Sequence, residues 1–61
     1  MPLITVEASK TLSKEDKKKL IEDASQIVAD AYGLPVQAIT MMIYENKPEN
    51  IGVGGKPVSE N

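Results

Sequence analysis

Residues 13–35 read SKEDKKKLIEDASQIVADAYGLP, a stretch that carries both ends of a helix and the face on which it packs. Ser13 stands three positions before Asp16, a capping-box-like start in which Asp replaces the usual Glu or Gln. Glu15 and Asp16 fall in the first turn, at the positive end of the helix dipole. Leu20, Ile21, Ala24, Ile27, Val28 and Ala31 then recur at spacings of one, three and four, which makes one apolar stripe along about five turns. Lys17, Lys18, Glu22, Gln26 and Asp30 take the remaining faces. Gly33 is suited to a left-handed closing residue, and Pro35 prevents the helix from resuming.

Upstream, Leu3-Ile4-Thr5-Val6-Glu7-Ala8 is β-branched and roughly alternating, and predicts a strand with Ile4, Val6 and Ala8 on one face. Ser9 to Leu12 connect it to the helix. Downstream, Ile39-Thr40-Met41-Met42-Ile43-Tyr44-Glu45 predicts a second strand, apolar enough to expect burial on both faces. Asn46 to Asn50 form a turn-rich loop, residues 51–58 a short hairpin, and Ser59-Glu60-Asn61 a frayed polar tail. The fold class is therefore α+β: a single domain over residues 1–61, built as one βαβ unit with parallel strands, a right-handed crossover and a short C-terminal hairpin. One helix covers one face of a two-stranded sheet. The other face and both edges need covering, so this fold requires assembly as an oligomer.

Size leads to the same place. A chain of 61 residues buries only about 60% of its unfolded surface, and such small domains usually add disulfides, a metal or partner subunits. The chain has no cysteine and no histidine, which removes disulfides, thiol nucleophiles, imidazole acid–base chemistry and the usual transition-metal ligands. Carboxylate-only calcium binding is the metal chemistry left open, and no EF-hand loop is present for it. All seven basic residues are lysine against nine acidic ones, a net charge of −2 that argues against nucleic acid as a partner. No signal-peptide core or membrane-length apolar run occurs, which leaves the cytoplasm as the default location.

Four features are candidates for chemistry. Lys17-Lys18-Lys19 reads as a solvated helix face interleaved with acids. Gly52-Val53-Gly54-Gly55-Lys56 lacks the P-loop spacing and its following helix, so its glycines are better explained by a tight turn. Glu45 and Glu49 read as solvated loop ends. Pro2 is different. It cannot donate to a strand ladder, and its bland role is to start a strand. Once Met1 is excised, however, Pro2 becomes a secondary amine on a rigid ring. A free α-amine has a pKa of about 7.7–8.0, and an apolar site lowers it. Such an amine is a general base near neutrality, in a chain with no histidine or cysteine to serve instead.

Pro2 behind Met1, the hydrophobic first strand, the S-K-E-D helix start, Ile43-Tyr44-Glu45 and Ile51-Gly52-Val53-Gly54-Gly55 together resemble the 4-oxalocrotonate tautomerase family over nearly the whole chain. The resemblance implies a βαβ subunit assembled as a hexamer, a trimer of dimers. It implies cofactor-independent keto–enol tautomerisation of a 2-hydroxydienoate or related 2-oxo acid, with Pro2 as the base. The family's best-known members carry an arginine where Leu12 stands, a second where Thr40 stands, and an aromatic residue where Ile51 stands. Their clamps on the substrate carboxylates are therefore missing here, and Lys10 and Lys47 are the candidate replacement cations. Two functions remain open: a tautomerase with a less acidic substrate and a pocket at a subunit interface near Leu12, Thr40 and Ile51, or a catalytically degenerate oligomeric module of the same fold.

Overall fold

The computed structural model describes residues 1–60, with strand β1 at Leu3–Ala8, helix α1 at Lys14–Tyr32, strand β2 at Thr40–Glu45 and a hairpin of β3, Gly52–Val53, with β4, Lys56–Pro57. Strands β1 and β2 pair in parallel, in the register Leu3 opposite Thr40 through Ala8 opposite Glu45. This is the βαβ unit and hairpin that the sequence predicts. Short 3₁₀ turns at Val36–Ala38 and Pro48–Asn50 lead into and out of β2, and a third spans Val58–Glu60. The first two occupy stretches that read simply as loop. The third replaces most of the expected frayed tail, whose last residue, Asn61, lies outside the described residues.

The ends of α1 are built as its sequence dictates. The Ser13 hydroxyl accepts the Asp16 backbone N–H at 3.1 Å, one half of the capping box. At the other end Gly33 is left-handed, with φ 65°. The Leu34 N–H reaches the Ala29 carbonyl at 2.9 Å, and the Gly33 N–H reaches that of Asp30 at 3.3 Å, which is a Schellman closure. The Gly54-Gly55 pair has φ of 63° and 82°. Two positive values in a two-residue loop allow the strong twist of a tight antiparallel hairpin.

Packing corrects two expectations. The inward face of α1 is Lys17, Leu20, Ala24 and Val28, half-buried, with Ser25 and Ala29 buried. Ile21, Ile27 and Ala31, assigned to the packed stripe by their hydrophobicity, lie exposed, Ile27 at 69%. The two buried positions of α1 are both small residues, Ser25 and Ala29. Strand β2 is likewise not buried on both faces: Met41 and Ile43 are half-buried, whereas Thr40, Met42 and Tyr44 are exposed beside Leu3, Thr5 and Glu7 of β1.

The subunit is a thin slab, 43 × 25 × 12 Å, in which Ala29 is the only buried hydrophobic residue described. Its radius of gyration is 14.7 Å, against about 10.5 Å for a compact domain of this length. Its accessible surface is 4891 Å², against about 3,900 Å² for a folded monomer of this mass. The isolated chain thus exposes roughly a quarter more surface than a self-sufficient monomer would.

Replacing Gly33 by Ala should destabilise the fold by about 1 kcal/mol, because no L side chain is at ease at that φ. No neighbouring atom obstructs the new methyl group. Gly52→Ala, where an added Cβ meets only the Lys56 carbonyl at an ordinary 3.8 Å, serves as the near-neutral control. Urea denaturation at a fixed protein concentration measures both.

Candidate active site

The parallel ladder decides where each candidate residue stands. Pro2 is half-buried at the head of β1, where its carbonyl accepts the Thr40 N–H at 3.2 Å. The pyrrolidine nitrogen has no ladder role to fill, which answers why a proline is tolerated there. Thr40 is exposed beside it at the start of β2.

The other candidates collect at the far end of the sheet. There the Asn46 N–H extends the ladder to the Ala8 carbonyl at 2.8 Å. The Leu12 N–H donates to Glu45 Oε2 at 2.7 Å, while Lys17 Nζ lies 2.6 Å from Glu45 Oε1. The Glu45 side chain is 15% exposed. The Lys17 hydrogen bond first, and then the Leu12 N–H, hold its carboxyl below the usual carboxylate range. Glu45 therefore pins the β1–α1 connection against the end of β2. It is not a solvated loop end, and Lys17 is not simply part of a solvated lysine face. Lys18 does behave so, pairing with Glu22 one turn on at 2.8 Å in full exposure. Glu49 is exposed in the 3₁₀ turn beyond β2.

An open cleft of about 390 Å³ lies at this same end, lined by Glu7, Ala8, Ser9, Asn46 and Ile51. Ile51 is half-buried, and its carbonyl is held by the Val58 N–H at 2.7 Å, which closes the base of the hairpin. Lys10 is exposed in the connection, next to the cleft but not among its lining residues.

Two clusters result. Pro2 and Thr40 stand at one end of β1; Lys10, Leu12 and Ile51 stand toward the other. Six residue steps of about 3.3 Å separate Pro2 from Ala8, so the ends lie about 20 Å apart. One chain does not bring all five residues into a single pocket. Glu7, Ser9, Asn46 and the Glu45–Lys17 pair were not singled out as site residues by sequence reasoning. The available signal was the parallel register, since aligning Ala8 with Glu45 brings the residues that follow each of them side by side.

Comparison with known proteins agrees with the βαβ fold. The sequence model of the family described as "Tautomerase enzyme" matches residues 2–61. A "Probable tautomerase" of Bacillus cereus is 33% identical over 60 residues, 98% of each chain. Another, of Halalkalibacterium halodurans, is 30% identical over the same share of both chains. Among solved structures, TomN, a 4-oxalocrotonate tautomerase homologue of the tomaymycin biosynthetic pathway, superposes with a TM-score of 0.84 at 32% identity, covering 97% of this chain and 91% of its own. A heterohexameric 4-oxalocrotonate tautomerase from Chloroflexus aurantiacus gives 0.83 at 28% identity, covering 98% and 97%. The chain belongs to the tautomerase family, as the sequence resemblance implied. Membership supports a tautomerase-type isomerase as its class of activity.

The Glu45 contact has a defined pH signature. Its folded pKa lies below the unfolded one, so its stabilisation is complete above the unfolded value, about 4.3, and is lost as pH falls through the lower folded value. Glu45→Gln should therefore be less stable than the parent at neutral pH, with the difference shrinking below about pH 4. Denaturation midpoints of the two proteins across pH 3–7 test this; parallel profiles would contradict it.

Proposed function

We propose that this chain, after removal of Met1, is a cofactor-independent keto–enol tautomerase of a 2-hydroxydienoate or related 2-oxo acid, with the Pro2 nitrogen as general base. The observation that carries this reading is the fixing of Pro2 through its carbonyl alone, in the hydrogen bond from Thr40. The nitrogen is left for chemistry while the ring is held in place. Met1 is 96% exposed, open to the removal that this function requires. With Met1 attached, the nitrogen is an amide and has no basicity to offer.

In the reaction, neutral Pro2 takes the proton of the substrate's 2-hydroxyl group. The O–H electron pair becomes the C=O π bond, the diene electrons shift by one position, and the proton returns from Pro2 to the far carbon. Nothing is gained or lost overall.

Pro2 and the cleft meet in one site when two chains associate antiparallel, the head of one β1 against the tail of the other. Assembly as a hexamer, a trimer of dimers, also covers the exposed sheet face of Leu3, Met42 and Tyr44. The solved relative from Chloroflexus aurantiacus is itself a heterohexamer. The absence of arginine at positions 12 and 40 favours one competing reading, a module of the same fold that has lost catalysis.

Intact mass should show the chain without its first methionine. Light scattering should give about 40 kDa, six copies of a 6.6 kDa chain. Pro2→Ala should lower kcat/KM for 2-hydroxydienoate ketonisation by about 100-fold or more. The wild-type pH–rate profile should rise through a pKa below the free-amine value of about 7.7. Undiminished activity in Pro2→Ala would remove the base assignment, and a hexamer with a free Pro2 but no turnover would favour the degenerate module.

A further inference from the structure

We infer that the pocket selects substrates with a single carboxylate, and that Glu7 is the residue that turns a second one away. This rests on the two-chain site proposed above, in which Pro2 of one subunit faces the cleft of another. The lining of that cleft is Glu7, Ala8, Ser9, Asn46 and Ile51: two neutral polar side chains, two apolar ones and a carboxylate. No cation lines it.

The lysines nearest in sequence or space do not fill the gap. Lys17 is engaged by Glu45 at 2.6 Å, and Lys18 by Glu22 at 2.8 Å. Lys10 and Lys47 follow the lining residues Ser9 and Asn46 in the chain, but both are exposed and neither lines the cleft. Exposed ammonium groups are strongly hydrated and offer no bidentate fork to a carboxylate. Within the subunit Glu7 belongs to neither of the ion pairs found among the described residues.

A dianionic substrate would thus bring its second carboxylate against a like charge in this open cleft, where Ser9 and Asn46 are the lining side chains that can donate hydrogen bonds. A substrate ending in a hydrogen, an alkyl group or a neutral polar group meets no such repulsion, and Ile51 gives it an apolar wall. Glu7 acts here on specificity, not on the proton transfer.

The matched probes are 2-hydroxypentadienoate and 2-hydroxyhexadienedioate, which differ by one carboxylate. The wild-type oligomer should turn over the monoanion with kcat/KM about tenfold higher or more, a ratio expected for one like-charge contact at intermediate dielectric. Glu7→Gln should narrow the ratio several-fold by improving the dianion. Raising the ionic strength with the wild-type protein should narrow it too, because exposed charges are screened over about 8 Å at physiological salt. Equal or better use of the dianion, or a ratio that neither the substitution nor salt moves, overturns the inference. Pro2→Ala, assayed on both probes, separates the two levels. If it loses both activities while the wild type prefers the dianion, only the charge selection falls. If it keeps them, or if the wild type turns over neither probe, the base assignment falls and this inference with it.

Discussion

The parallel pairing of β1 with β2 is the constraint on which the rest of the molecule depends. Its register, Leu3 on Thr40 through Ala8 on Glu45, fixes what stands at each end of the sheet. At the head it seats Pro2, whose missing N–H costs nothing there because only its carbonyl is used. At the tail it brings Glu45 under the β1–α1 connection, where the carboxylate takes up the Leu12 N–H and Lys17. A slip of one residue would turn Ile4, Val6 and Ala8 away from α1 and uncouple both ends at once.

The same ladder explains why the subunit is incomplete alone. Two strands and one helix make a two-layer sandwich only 12 Å thick, with a single hydrophobic residue buried among those described. Leu3, Met42 and Tyr44 lie on the uncovered side, and Ile27 and Tyr32 on the outer helix surface. Such a distribution is costly for a lone domain and ordinary for a subunit, since partners remove the same apolar area from water.

Most of the fold was legible because its signals are local. Ser13 and Gly33 mark α1 through capping chemistry that needs no tertiary context, and the bounds of β1 follow from its β-branched run. Side-chain orientation was less legible. Hydrophobicity placed Ile21 and Ile27 inward, yet both lie exposed, while Ser25 and Ala29 are the buried positions of α1. Met41 and Met42 look alike in sequence, but strand alternation puts them on opposite faces. Pro2 could be picked out as a candidate from the sequence because its proposed chemistry depends only on its place behind Met1. Glu45 could not, because its role comes from contacts with Leu12 and Lys17, 33 residues away in the case of Leu12. The cleft of Glu7, Ser9, Asn46 and Ile51 is assembled from three segments, and none of them announces it alone.

The distance between the two ends of β1 has a consequence for regulation by abundance. Under the proposed function, a solitary chain holds its base and its cleft too far apart to act on one molecule. Catalytic competence is then governed by mass action: dilution dissolves the active site without altering any bond within a subunit. Newly made chains gain activity only on meeting one another, so specific activity rises with expression instead of remaining constant.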